Sequence, residues 1–539
     1  MRNNGKVIIF IPIFLTIFFI FGGYILVSAV NQDPPLTGDP LTNSTDEDFY
    51  LYMPFSANDI CTAQLVESPF SIEIAALHQI TTTNLMDQEI NEEQFNAWYN
   101  QAFPSLVAAL QDSGAGWTRI VIRWFDIEPK EPEPGQPPTY DLAWLQWYDD
   151  RLSQISQAGV KMIAVINSPP AWANNSVSCP EITSDHVQEY QQFLTDIVTR
   201  YSQSPYNIKN WEIFNEADMT TANWDGFTCF GEFGSDYTDI LSKSYLAIKT
   251  VDPNATVLMS GIAYESWNED PYNGPFYRYF PDDVMLAGGA SYFDALNFHY
   301  FPDFHHEWER WNPPAQPPTC GRPPEAGQGL AYDGSGIDLI AKTNFFTNRM
   351  STCFSVDKPV WLTEMAEHGV ITDSGSLRNQ AYYVLKGYSR GLAAGIKNIT
   401  WFALGDPLDG FDQSLLTTDF SPKPAFYSYK TLVAQLTNYT YDRTLSIPEG
   451  EAYVFRNSCN DEKIVAWGNN APLNVSPATS LEVTDYLGNV SAIQDGGPGD
   501  GDGSQNDSIQ VMLSLDPMTG SIIVINPVPI PVFIRVTSP

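Results

Sequence analysis

Eight short apolar runs punctuate residues 66–436: FSIEIAAL, TRIVIRW, VKMIAVIN, NWEIFNE, TVLMSGIA, FDALNFHY, PVWLTE and NITWFAL. Most are too uniformly apolar to keep one face in water, which suits strands of a parallel sheet covered on both sides. Between the runs the apolar period changes. From His186 to Tyr201, the residues Val187, Tyr190, Phe193, Leu194, Ile197, Val198 and Tyr201 recur at i, i+3, i+4, the stripe of an amphipathic helix. Ser184 or Asp185 stands ahead of it as the expected cap. Eight strand–helix units over this length predict an α/β fold, a (β/α)8 TIM barrel with enlarged loops.

The pattern shifts again after residue 436. AYVFRN, KIVAWG, SLEVTDYLGN, SIQVMLSL, SIIVINP and VFIRVT alternate apolar and polar positions, are separated by turn residues, and carry no helical stripe. Residues 437–539 therefore read as an all-β sandwich. Within them Gly496 to Asp507 spells GGPGDGDGSQND, with Asp500, Asp502 and Ser504 at alternate positions. A calcium loop of the EF-hand type closes on Glu at its twelfth position; here that position is Val511, and a plain surface hairpin is the expectation. At the other end, Arg2 and Lys6 precede a nearly unbroken apolar stretch to Val30, with Val27-Ser28-Ala29 near its close. Residues 1–30 read as a secretion signal or an uncleaved membrane anchor. Residues 31–65, rich in Pro, Asp, Thr and Asn, read as a linker to the body. Both readings place the body outside the cell, secreted or held on the outer face of the cytoplasmic membrane.

Composition narrows the partners. The 539 residues are 43% apolar, enough for a sizeable core, and carry 27 Lys+Arg against 64 Asp+Glu, a formal net charge of -37. Such a surface repels phosphate backbones and anionic polymers and is indifferent to neutral ligands, which excludes nucleic acid and favours neutral sugars. The six cysteines (Cys61, Cys179, Cys229, Cys320, Cys353, Cys459) are an even number in an exported chain and suit disulfides; Cys179–Cys229 and Cys320–Cys353 are the expected pairs. No CxxC pair or His cluster points to zinc, and no metal or cofactor is expected.

In a TIM barrel the chemistry lies at the C-terminal ends of the strands. Two runs end in Glu: WEIFNE at Glu216, on the fourth strand, and PVWLTE at Glu364, on the seventh. Strands opposite one another aim their ends at one cleft. Retentive hydrolysis of a glycosidic bond needs two carboxyl groups about 5–5.5 Å apart, one an acid and one a nucleophile.

These residues carry a resemblance. Residues 66–436 resemble clan A glycoside hydrolases, families 39 and 5 in particular, whose acid/base lies in an Asn-Glu pair ending the fourth strand and whose nucleophile ends the seventh. WEIFNEAD is similar to the first signature, with Ala217 where Pro is usual, and WLTEMAEHG to the second. The resemblance implies Glu216 as acid/base, Glu364 as nucleophile, and Asn215 on the sugar 2-hydroxyl. GWTRIVIRWFDIEP resembles the second-strand signature, whose Arg corresponds to Arg119, with Arg123 as competitor, and this cation would hold Glu364 ionised. His299 and Tyr300 would orient the nucleophile or touch sugar. Trp401 would form the floor under a sugar ring, with Trp172 and Trp124 as weaker candidates. Glu212, of the same strand parity as Glu216, is expected to pair with a basic group inside the barrel, and Asp218 and Glu367 to be loop residues. The expected activity is retaining hydrolysis of neutral, β-linked oligo- or polysaccharides. A transglycosylase, a catalytically dead sugar-binding protein and a structural surface protein are the rivals; the last two leave the paired Glu signatures without a purpose.

Overall fold

A computed structural model describes residues 66–74, 92–174, 182–220, 229–231, 233–264, 276–302, 338–406, 412–518, 521 and 527–538. Each of the eight apolar runs contains a strand: β1 (Phe70–Glu73), β2 (Trp117–Arg123), β3 (Lys161–Asn167), β4 (Asn210–Ile213), β5 (Thr256–Leu258), β6 (Leu296–Tyr300), β7 (Val360–Met365) and β8 (Ile399–Trp401). They form one parallel sheet in the order β5-β4-β3-β2-β1-β8-β7-β6. Parallel bridges Leu258↔Ala295 and Ile262↔Phe298 join the outer strands, so the sheet closes into a barrel and loses its edges. Its strands are buried almost throughout, which is why they read as continuous apolar runs.

The helices among the described residues are α1 (Glu92–Ser113), α2 (Trp124–Ile127), α3 (Leu142–Gln157), α4 (Val187–Tyr201), α5 (Gly234–Val251), α6 (Phe280–Leu286), α7 (Leu339–Phe354), α8 (Ser374–Ala393) and α9 (Pro424–Leu436). In α4 the buried side chains are Tyr190, Phe193, Leu194, Ile197, Val198 and Tyr201, the striped residues apart from half-buried Val187. The expected cap is corrected. Ser184–His186 form a 3-10 turn leading into the helix, and no side chain caps it. Elsewhere Asp does that task, as where Asp141 Oδ1 accepts from the Ala143 and Trp144 amides at the start of α3.

After α9 the chain runs through β9 (Tyr439–Leu445), β10 (Gly450–Asn457), β11 (Glu462–Gly468), β12 (Ala471–Val475), β13 (Ser480–Asp485), β14 (Val490–Gln494), β15 (Ile509–Leu513), β16 (Leu515–Asp516), β17 (Val528–Pro529) and β18 (Val532–Ser538). Six of these make an antiparallel sheet, β14-β13-β18-β11-β10-β9. The period of two sorts its side chains. Ala452, Val454, Ile464, Ala466, Leu481 and Ile534 meet the β12–β15 pair in a core of their own. Tyr453, Phe455, Val465, Trp467 and Phe533, one step out of phase, join the barrel's core. Residues 64–539 form one compact unit. In the Gly496–Asp507 segment, Asp500 accepts from the Gly496 and Gln510 amides and Asp495 from those of Asn506 and Asp507. The backbone takes up both carboxylates, as a hairpin requires. The run SIIVINP, the N-terminal apolar stretch and Cys61, Cys179 and Cys320 lie outside the described residues. Cys229, Cys353 and Cys459 are disulfide-bonded.

Candidate active site

The centre of the barrel mouth is built on Arg119, wholly buried on β2. Its Nε and Nη2 donate to the two carboxylate oxygens of Glu212 on β4, each at 2.9 Å. Nη1 donates to Glu73 of β1 at 2.7 Å and to Glu364 of β7 at 2.6 Å. Nη2 also donates to the side-chain oxygen of Asn215 at 2.7 Å. Glu73 and Arg119 are register partners on adjacent parallel strands, so both side chains enter the barrel at one level. Burial opposes the charge on Arg119. Glu212, Glu73 and Glu364 outweigh it and hold the guanidinium protonated well above its ordinary range.

Glu216 comes to the same place from the turn after β4. Phe214 and Glu216 both adopt left-handed backbone, with φ of 64° and 49°, a conformation that costs a non-glycine residue on the order of 1–3 kcal/mol and clusters at functional sites. The surroundings hold the turn. The Phe214 amide donates to the Ile166 carbonyl, the Phe214 ring stacks on Tyr190 of α4, and the Ala217 amide donates to Ser260 Oγ at 2.9 Å. Next in the chain, buried Asp218 accepts from the amides of Ala263 and Tyr264 at 3.0 and 2.9 Å, tying the β4 loop to the β5 loop. Burial, with the nearby Glu216, pushes the Asp218 carboxyl up to about 7.

His299, fully buried at the end of β6, bridges the pair. Its Nδ1 hydrogen-bonds Glu216 Oε1 at 2.9 Å and lies 3.5 Å from Glu364 Oε2. Lys342 of α7 donates to the His299 carbonyl at 2.7 Å. Gly261 is required beside this ring, because a Cβ there would lie 2.1 Å from His299 Nε2. One carboxylate oxygen of each Glu and one ring nitrogen lie within 4.8 Å of one another. Among the described residues this is the set that could hold a metal ion. One oxygen of the Glu216 carboxyl thus lies within 4.8 Å of one oxygen of the Glu364 carboxyl, close enough for both groups to act on one glycosidic bond.

Comparison with known proteins gives the family. The family model described as "Cellulase (glycosyl hydrolase family 5)" matches residues 79–401, more than half of the chain. The chain belongs to glycosyl hydrolase family 5. It is a retaining glycoside hydrolase of clan A, and its substrate is carbohydrate. Solved structures share the fold. A family 39 glycoside hydrolase from Bacteroides cellulosilyticus WH2 is 18% identical, with a TM-score of 0.54, covering 81% of this chain and 79% of that one. A glucosidase from Croceicoccus marinus is 14% identical, with a TM-score of 0.51 and coverage of 80% and 92%. A family 39 β-xylosidase from Caulobacter crescentus is 13% identical, with a TM-score of 0.50 and coverage of 88% and 98%. No curated protein matches the chain.

Not every residue expected at this family 5 site is there. Trp401 is corrected: on β8 it is out of phase with the barrel mouth. It is fully buried, its ring lies against Tyr383 of α8, and its Nε1 donates to the Gln413 carbonyl at 3.0 Å. Ile399 and Met365, its neighbours in parity and register, likewise meet α8, at Gly391 and Gly387. Phe402, the next residue, takes the inward parity and packs edge-on to Phe301, which in turn meets His299. Tyr300 is corrected for the same reason. It shares a face with Phe298 under the Lys342 ammonium of α7, and Phe301 stands on the His299 side. Arg123 donates to Asp126 at 2.7 Å and lies over the Phe125 and Trp144 rings, leaving Arg119 as the site's arginine. Trp124 is buried and stacks on Phe193 of α4. Trp172 is half-buried beyond β3, edge-on to Trp124 and His186, with its Nε1 donating to the Glu128 carbonyl. Glu212 pairs with Arg119 as expected. Asp218 and Glu367 are loop residues, though buried ones. Glu73 is a site residue that the sequence reading did not single out; its signal is an acid in phase with Ser71 inside the otherwise apolar run FSIE.

Proposed function

We propose that this protein cleaves neutral, β-linked oligo- or polysaccharides by double displacement, with Glu364 as nucleophile and Glu216 as acid/base. The observation that carries the reading is the grouping of Glu216, His299 and Glu364 within 4.8 Å. Glu364 takes a guanidinium hydrogen bond from Arg119, which suits a carboxylate that must be ionised to attack. Glu216 hydrogen-bonds the His299 ring, a partner with which it can share the proton that the leaving oxygen needs. This differs from a lone acid: His299 is poised to exchange that proton as Glu216 changes from acid to base between the two steps. Asn215, which accepts a hydrogen bond from Arg119, is the residue assigned here to the 2-hydroxyl, and Phe301 with Phe402 is the apolar wall assigned to the ring face. Two of the structural likenesses are described as a glucosidase and a β-xylosidase, enzymes of neutral sugars, and the charge of -37 disfavours anionic polymers. The disulfide-bonded state of Cys229, Cys353 and Cys459 supports an exported body.

Azide rescue tests the roles. Glu364→Gly with azide is expected to release a glycosyl azide of inverted configuration, and Glu216→Ala with azide one of retained configuration. The opposite pairing would reverse the roles. A panel of aryl β-glycosides and neutral plant polysaccharides identifies the sugar, and turnover confined to uronic-acid substrates would defeat the neutral-substrate reading.

A further inference from the structure

The hydrogen bonds of Arg119 are fully subscribed. A guanidinium has five N–H donors. Here one goes from Nε and one from Nη2 to Glu212, the other Nη2–H to Asn215, and the two Nη1–H groups to Glu73 and Glu364. One positive charge is thus divided among three buried carboxylates. Glu212 occupies the opposite edge of the fork. Glu73 occupies the same nitrogen as Glu364, at 2.7 Å against 2.6 Å, from the adjacent strand and with its side chain almost wholly buried.

A cation beside a carboxylate stabilises the anion and so weakens it as a base and nucleophile, and a second anion on the same cation partly cancels that effect. We propose that Glu73 is a positioning residue that limits how much of the Arg119 charge reaches Glu364 and thereby keeps the nucleophile reactive. Glu73 touches Arg119 and acts through it. Among the described residues, the charged or titratable groups grouped around Glu364 include Arg119 from β2, with Glu73 from β1 and Glu212 from β4 on the same guanidinium, and Glu216 from the turn after β4 and His299 from β6. Of these, Glu73 can lose its charge without loss of any group assigned to the reaction itself.

The proposal rests on Glu364 being the nucleophile, and the experiment separates the two. Glu73→Gln keeps the volume and an oxygen to accept from Nη1 but removes the charge. In the full chain, the acidic limb of kcat/KM against pH, which reports the free enzyme's nucleophile, is expected to move to lower pH by about one unit, with a several-fold lower plateau. Glu73→Asp retains the charge and is expected to keep the limb near its wild-type position. A merely structural Glu73 would lower the plateau or the yield without moving the limb. Should Glu73→Gln not fold, Glu73→Ala removes the same charge and must show the same displacement. A limb that stays in place or moves upward in the neutral variant overturns the proposal. Glu364→Gln is measured alongside. If it retains more than a few per cent of turnover, the nucleophile assignment is at fault; if it is inactive and the limb of Glu73→Gln has not moved, only the role of Glu73 falls.

Discussion

Arg119 is without solvent contact and holds together groups from β1, β2, β4 and β7. Lysine cannot replace it, because an ammonium is a compact charge without the planar fork that grips both oxygens of Glu212. Arg119→Lys is expected to cost roughly 3–5 kcal/mol in denaturant unfolding, the range for breaking a buried ion pair, together with at least a hundredfold of turnover. Near-wild-type stability would mean that the cluster is held by its strands alone. Glu216→Gln and Glu364→Gln leave the packing alone and are expected to lower turnover by about 10²–10⁴-fold or more with unchanged circular dichroism. Two other buried acids set a pH dependence. Burial pushes Glu128 up to about 7 despite the hydrogen bond it accepts from Trp124, and Asp218 also titrates at about 7. Their folded forms bind the proton more tightly than the unfolded chain does. The stability they contribute is complete below about pH 4 and is lost as pH rises through 7. The thermal midpoint is therefore expected to fall between pH 5 and pH 8, and Glu128→Gln, which mimics the neutral acid, to flatten that fall by roughly 2–4 °C. An equally steep fall in the variant would contradict the assignment.

Strand parity explains the two aromatic corrections. Successive side chains on a strand face opposite ways, so an aromatic at the end of a run is at the site or behind it according to one step of register. Trp401 and Tyr300 fell behind it, and Phe402 and Phe301 in front. The same rule gives the C-terminal sheet two apolar faces, which is why β10 is buried at four successive positions, Ala452 to Phe455, where alternation is expected. Where the barrel meets that sheet, Arg390 of α8 donates to Glu451 of β10 at 2.9 Å and lies over the Trp467 ring. Burial opposes ionisation of Glu451, but Arg390, with a hydrogen bond from Tyr453, holds its carboxyl at about 2. A depressed acid contributes stability above its unfolded value, here about 4.5, that disappears as pH falls through 2. Arg390→Met is expected to remove that acid-side loss from the unfolding profile. Trp467→Ala is expected to cost about 3–5 kcal/mol by the cavity it leaves, read as a lower denaturant midpoint.

The two β-rich and α/β parts behave as one body because the C-terminal sheet lends the barrel a row of large apolar side chains. A chain ended at residue 438 would expose the α8 and α9 surface that this row covers. It is expected to be insoluble or to aggregate on gel filtration; a soluble, active barrel from that truncation would show the sheet to be dispensable. Much of this was legible beforehand. The apolar runs are long enough to mark eight strands, and their ends carry the two Glu signatures and Arg119, because a barrel puts its chemistry at strand ends whatever its loops do. The sequence by itself determined the strand count, the closed parallel sheet, the all-β tail and the two strand ends that carry Glu216 and Glu364. Only the tertiary structure decided how one guanidinium is shared among Glu73, Glu212 and Glu364, that His299 lies between the two carboxyl groups, and which aromatic faces the mouth. Those depend on register between strands far apart in the chain and on turns such as Phe214–Glu216 that leave the regular period, and neither is written in the pattern of any one segment.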